Sequence, residues 1–371
     1  MDTIQNPIVI FEPFSGGHRG IFVQHLYQEL LKRGDTPKTF IFYVNPLIAP
    51  QLVPASSSIK VIEAASPDSV SPLTQLKELC KEFTPQEIML MALGDWEWSL
   101  LFWRCPFPLS SILFVQYPEI KNPLKRKLKS LKTRQILSRN SLKTLFLLNG
   151  ARSAKILQEI HGSGTRFLEV VDPVVPYPQG KSVAPAVKGS QTAFLYFGAI
   201  SRRKGFGLLV DAMLKISAEE HHRMKFIICG RPEDPGYFEH ELGRLKRSEL
   251  PVNLEVINYF VSEVEMWNRF SGSDVVLMPY LRPEYSSGVL GIAAQTLRPV
   301  IGPKEGLLGR LIQENHLGMV CKMNTRALKK ALVSASETLP GIDVASAKAF
   351  AEKSSPKAFA CEILTALCGE E

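Results

Sequence analysis

The chain has no stretch long and apolar enough to cross a membrane. No run approaches the ~18 apolar residues a membrane helix needs, and the longest, around Ser99–Trp103 and Ser111–Val115, are of strand or core-helix size. The first six residues carry no basic run and Pro7–Phe11 is too short for a signal core, so the expectation is a cytoplasmic chain. Six cysteines (Cys80, Cys105, Cys229, Cys321, Cys361, Cys368) are scattered without C-x-x-C spacing. That argues against a zinc site or redox pair and fits small core residues in a reducing compartment. Neither an internal repeat of solenoid period nor a low-complexity tract is present. Apolar residues make up 45% and charged residues 22%, which excludes bulk disorder.

What is present is a strongly localised charge. Lys121, Lys125, Arg126, Lys127, Lys129, Lys132, Arg134, Arg139 and Lys143 fall in a segment, 121–143, that holds no acidic residue. The remaining 35 basic residues face 36 acidic ones, so the net charge of +8 is this one patch. A local patch implies a local anionic partner. The segment reads as a helix after Pro123, with Leu124, Leu128 and Leu131 on one side. It is either a solvated face or a contact with an anionic membrane surface. Nucleic acid is disfavoured, since no aromatic residues are interleaved for base stacking.

With 371 residues, two domains are expected. Short apolar strands alternate with helical stretches, the pattern of doubly wound parallel sheets. Pro7–Phe11, Thr39–Val44, Ile59–Ile62, Glu87–Leu93, Ile112–Gln116, Thr144–Leu148 and Phe167–Val171 read as strands, with a helix over Ile21–Lys32. Three prolines and a glycine in Asp172–Gly180 cannot sustain a helix or central strand, which sets a linker at 172–190 between an N-terminal domain (1–171) and a second one (191–345). There Ala193–Phe197, Lys225–Cys229, Leu254–Ile257, Val275–Met278 and Val300–Ile301 read as strands, and Phe206–Ile216 as a helix. Residues 346–371 read as two helices split near Ser354-Ser355-Pro356.

Three loops carry candidate chemistry. Ser15-Gly16-Gly17-His18-Arg19-Gly20 links a strand to a helix. It is a tight turn, or a place where backbone N–H groups, His18 and Arg19 approach a phosphate. In Gly198–Gly205, Arg202, Arg203 and Lys204 crowd a helix N-terminus. That opposes the helix dipole unless an anion such as a diphosphate is bound; the alternative is a solvated charge run. The third, Tyr280–Gln295, runs from a strand through Glu284 into Ser286-Ser287-Gly288-Val289-Leu290 and a helix of small residues. Small residues and unpaired N–H donors suit close approach of a phosphate. Gly306-Leu307-Leu308-Gly309 opens a further helix.

The order G-x-x-x-x-x-K-G, I-I-C-G, S-D-V-V-L-M-P-Y, small-residue helix, P-V-I, G-L-L-G resembles retaining family 4 glycosyltransferases over about residues 190–322. The resemblance implies a GT-B fold: two Rossmann-like α/β domains facing across a cleft, with the C-terminal helices (346–371) crossing back to the N-domain. It implies a nucleotide-diphosphate sugar as co-substrate, no metal, and closure of the domains to exclude water. Lys204 matches the lysine that neutralises the donor diphosphate. Glu284 stands where the first glutamate of the family's Glu-x7-Glu contacts the donor sugar, while Ile292 stands in place of the second and Ala199 in place of an arginine that Arg202 or Arg203 would replace. Asp95, in Gly94-Asp95-Trp96-Glu97-Trp98, stands near the family's donor-contacting histidine. The alternatives for Asp95 are a helix cap or, with Glu97, a metal-binding D-x-D analogue. The expected catalytic set is Asp95, Lys204 and Glu284. The expected donor-binding set is Gly16, Gly17, His18, Arg202, Arg203, Ser286, Ser287, Gly288, Val289 and Leu290. The acceptor is expected to be a glycan, lipid-linked or small molecule. A sugar-nucleotide epimerase and a non-catalytic nucleotide-binding relative are the rival readings.

Overall fold

The computed structural model describes residues 6–14, 19–34, 37–52, 58–162, 164–178, 186 and 189–369. It divides into two compact units, Met1–Pro173 with Ser355–Glu371, and Val174–Ser354.

The first unit runs β1 (Ile8–Glu12), α1 (Arg19–Arg33), β2 (Phe40–Val44), β3 (Ile59–Glu63), α2 (Pro72–Phe83), β4 (Glu87–Leu90), α3 (Leu93–Phe102), β5 (Leu109–Ile112), α4 (Pro123–Arg139), β6 (Leu142–Leu148), α5 (Ala151–His161) and β7 (Arg166–Val170). The strands form one parallel sheet in the order β3-β2-β1-β4-β5-β6-β7. Chain order reverses direction between β1 and β4, the place where open α/β sheets leave a crevice at the strands' carboxyl ends. Apolar cores cover both faces, one around Phe22, Leu26 and Phe146, the other around Leu76, Trp96 and Leu145.

The second unit contains β8 (Thr192–Phe197), α6 (Phe206–Met213), α7 (Ala218–His221), β9 (Met224–Cys229), α8 (Pro235–Lys246), β10 (Asn253–Ile257), α9 (Glu263–Ser271), β11 (Val275–Leu277), α10 (Gly288–Gln295), β12 (Val300–Pro303), α11 (Gly306–Glu314), β13 (Gly318–Cys321), α12 (Thr325–Glu337) and α13 (Val344–Lys353). Its parallel sheet, β10-β9-β8-β11-β12-β13, repeats the same winding, with the reversal between β8 and β11.

Three sequence expectations change. The strand expected at Ile112–Gln116 lies earlier, at Leu109–Ile112. Its centre is Ser110 and Ser111, both buried. Their hydroxyls donate to the Glu87 carboxylate at 2.5 Å and the Leu90 carbonyl at 2.8 Å, which makes two serines admissible in a core strand. The edge strand β13, half-buried along its length, was not anticipated. The two C-terminal helices also part company. α13 belongs to the second unit, where Ala347 and Phe350 join the core that holds α10. Only α14 (Pro356–Cys368) belongs to the first, its Phe359 ring 4.7 Å from that of Phe22 on α1. Ser354 ends α13, and Pro356 follows the Ser355 cap as the first residue of α14. The first crossing falls at Pro173/Val174, inside the expected linker, and the Val174 N–H donates to the Ser354 carbonyl at 2.9 Å. All six cysteines are free thiols.

Candidate functional site

At the carboxyl end of the second unit's sheet, four loops are tied to one another through glycines. Gly198, after β8, has φ +96°, and Gly230, after β9, has φ +142°. A Cβ on Gly230 would stand 2.0 Å from the Gly198 carbonyl oxygen, so only glycine lets the two loops touch. Gly205, the N-cap of α6, has φ +74°, and a Cβ there would meet the Pro279 carbonyl at 1.9 Å. The Leu281 N–H donates to the Arg203 carbonyl at 3.0 Å, and the Leu308 N–H to the Pro283 carbonyl at 3.0 Å. The loops after β8, β9, β11 and β12 therefore form one surface.

Lys204 lies at the middle of it. Its ammonium is 5.4 Å from the centre of the Tyr280 ring and would be 2.8 Å from a Cβ on Gly198. Val289, in the first turn of α10, approaches the same point, its Cγ2 3.9 Å from that Cβ position. Ser287, the N-cap position of α10, uses no side-chain cap; its hydroxyl lies 3.4 Å from the Tyr280 hydroxyl. So Lys204, Ser287 and Val289 are brought together at the start of α10, with Gly288 between the last two. Val289 and Leu290 both also belong to the core beneath α10. Ser286 is half-buried in the loop just before.

The two arginines flank this point without joining it. Arg202 stacks 4.0 Å over the Tyr237 ring, and Arg203 lies 5.7 Å over that of Tyr285. Among the described residues Arg202, Arg203 and Lys204 have no carboxylate partner. Glu284 is buried and its carboxylate is bound by the Arg282 guanidinium. It is thus already paired. Ile292 is buried in the core and offers no polar group.

The carboxyl end of the first unit's sheet is different. Glu12, the last residue of β1, is buried and accepts the Phe14 N–H at 3.0 Å. Arg19, opening α1, approaches Glu12 at 3.9 Å and binds both carboxylate oxygens of Asp95 at 3.0 and 3.2 Å. Burial, outweighing the attraction of Arg19, raises the Glu12 pKa to about 7. Burial also raises that of Asp95, with Arg19 opposing it. Asp95 is not a helix cap, since Ala92 holds that position in α3 and Asp95 sits in the first turn. Nor do Asp95 and Glu97 make a joint site: Glu97 is buried against α4, bound by Lys129 and Lys132. Gly16, Gly17 and His18 lie outside the described residues.

Glu12 lies one residue beyond the strand expected at Pro7–Phe11 and is absent from the expected site. Its signal in the sequence is a carboxylate directly after four apolar residues and shortly before a glycine pair.

Two parallel-sheet α/β units with these strand orders are the fold of GT-B glycosyltransferases. Residues 191–338, most of the second unit, match the family described as Glycosyl transferases group 1. Among solved structures, the chain is similar to HepE of Anabaena in complex with UDP, at 13% identity, covering 98% of this chain and 100% of that one with a TM-score of 0.68. A glycosyltransferase from Rickettsia africae shares 14% identity over 99% of this chain and 98% of that one, with a TM-score of 0.65. A sucrose-phosphate synthase from Thermosynechococcus elongatus shares 16% identity over 99% and 98%, with a TM-score of 0.64. At these identities the likeness is one of fold. No curated protein matches the chain in sequence.

Proposed function

We propose that the protein is a glycosyltransferase that moves a sugar, of hexose type, from a nucleotide-diphosphate donor to a glycan, lipid-linked or small-molecule acceptor, with retention and without a metal. The observation that carries this is the ammonium of Lys204 at the start of α10, flanked by two arginines, all three without a carboxylate partner among the described residues. Such a group of cations is unfavourable alone and becomes favourable around a diphosphate. The titles of similar structures support a nucleotide donor, HepE being in complex with UDP and with UDP-glucose.

In the reaction the bond from the sugar's anomeric carbon to the diphosphate oxygen breaks, and its electron pair leaves with the diphosphate. Lys204 and the N–H groups opening α10 stabilise that charge as it forms. The acceptor hydroxyl oxygen bonds to the anomeric carbon on the same face. Its proton passes to a donor phosphate oxygen, so no protein base is needed. Arg203 and Arg202 hold the outer charge of the nucleotide, and Ser286, Ser287 and Gly288 line its phosphates. Asp95, paired with Arg19 beside Glu12, presents both donors and acceptors, which suits sugar hydroxyls. Glu284, held by Arg282, orients the loop before α10. The protein works on the cytoplasmic side, and segment 121–143 is its contact with an anionic membrane surface.

The test is to incubate the protein, with a chelator present, with UDP-, GDP- and ADP-sugars and a panel of lipid and oligosaccharide acceptors. NMR of the new linkage then reads the anomer. A retained configuration supports the reading. Inversion contradicts the mechanism, and isomerisation of the donor with no acceptor present would mark an epimerase instead.

A further inference from the structure

One helical layer of the first unit's sheet holds an unusual surface. α3 and α4 follow successive strands of one parallel sheet, so both cover the same face and both run from its carboxyl end; Leu100 of α3 and Ile136 of α4 share one core. At about 100° per residue, Leu124, Leu128 and Leu131 lie within one narrow stripe. A stripe of this kind ordinarily faces the core. In α4 it faces away: the helix rests on Thr133 and Ile136, while the three leucines are 66%, 59% and 53% exposed. Beside them α3 exposes Trp98 at 68% and Phe102 at 78%. Lys132, one turn beyond Leu128, lies 4.0 Å over the Trp98 ring and joins the two helices' surfaces.

Cations surround this apolar area. Lys125 and Arg139 flank the stripe on one side, Lys127 and Arg134 on the other. These four, with Arg126 and with Arg104 beyond Phe102, are exposed and have no ion pair among the described residues. The stripe leads into an open groove of about 640 Å³, lined by Leu131, Arg134, Leu137 and the exposed Ile160. Large apolar side chains projecting outward within a ring of unpaired cations match the interface of an anionic bilayer, where leucine and aromatic groups enter the acyl boundary and cations meet phosphates. A nucleic acid would use the charge but leave the outward leucines wet.

We infer that α3 and α4 together form a membrane-docking face, in which Trp98, Phe102, Leu124, Leu128 and Leu131 insert among anionic lipids while the surrounding cations bind their headgroups. This rests on reading segment 121–143 as a contact with an anionic surface and adds a second helix and an apolar insertion to it.

The test is co-sedimentation of the full chain with phosphatidylcholine vesicles, with and without phosphatidylglycerol, and with duplex DNA as a competitor. Three proteins are compared: wild type, Trp98→Ser/Phe102→Ser, and Lys125→Gln/Arg126→Gln/Lys127→Gln. Unchanged melting temperatures confirm that each variant is folded. The wild type binds only phosphatidylglycerol vesicles, and each variant binds at least tenfold less. A blue shift in tryptophan emission accompanies wild-type binding and is lost in Trp98→Phe. If the aromatic variant binds like the wild type, charge alone touches the surface and the insertion is wrong, while the basic-segment reading stands. If the wild type binds no vesicle, or DNA displaces it from vesicles, both are wrong.

Discussion

The carboxyl ends of the two sheets are built alike and charged differently. Each has a glycine-bearing loop opening the helix after its first strand, and each places a cation there, Arg19 in one and Lys204 in the other. Arg19 is flanked by Glu12 and Asp95. Among the described residues, Lys204 meets the Tyr280 ring, the space beside Gly198 and the start of α10, and no carboxylate. The same winding thus yields a self-neutralised polar cluster in the first unit and an uncompensated positive one in the second. On the function proposed above, the second would take the donor's diphosphate and the first uncharged hydroxyl groups.

Removing the uncompensated charge should have the largest effect. Lys204→Ala should lower kcat for sugar transfer by roughly 100- to 1,000-fold, the range for loss of one positioned donor to a developing anion, measured with saturating donor. Next is the buried carboxyl. A Glu12 pKa of about 7 in the folded state, above the ordinary 4.5, means its contribution to stability is complete below pH 4.5 and is lost as pH rises through 7. Arg19 and Asp95 are the charged groups facing it. Relative to Glu12→Gln, the wild type should lose about 3 kcal/mol at most across that window, read from melting curves at pH 5 and pH 8. Parallel curves would mean Glu12 is ionised throughout.

Gly198→Ala should be milder. Its positive φ disfavours a side chain, at a cost of about 1–2 kcal/mol, and the added methyl must push the Lys204 ammonium aside. Nucleotide binding should therefore fall more than stability does, seen as a reduced ligand-induced melting shift. Asp95→Asn should change stability least, by under about 1 kcal/mol, because its ion pair with Arg19 is partly exposed. Its effect should appear as a raised KM for the donor sugar, with the melting shift induced by the free nucleotide unchanged. Loss of that nucleotide shift instead would erase the division of labour between the two sheet ends.

How much of this the sequence disclosed follows from how local each feature is. The alternation of strands and helices is a short-range pattern, and the loops around Gly198–Gly205 and Ser286–Leu290 carry glycines and charges in consecutive residues. Lys204 and Ser287 were legible for that reason. Glu284 was legible as a residue but not in its pairing, since Arg282 was read only as loop. β5 was hidden because burial of Ser110 and Ser111 depends on acceptors supplied by β4, which no local pattern records. Glu12 escaped because its meaning depends on Arg19 and on Asp95, 83 positions away in the chain. The leucine stripe of α4 was seen, but periodicity alone does not say which side of a helix meets the core.

A diphosphate clamp at Lys204 is tested most directly by a thermal-shift panel of UDP, GDP and ADP with a chelator present, on wild type and on Lys204→Ala. One nucleotide should raise the wild-type Tm, by an amount equivalent to about 2.7 kcal/mol at 100 times its Kd, and the rise should disappear in Lys204→Ala. A wild-type Tm unmoved by all three nucleotides, or a shift that Lys204→Ala keeps in full, would contradict the clamp.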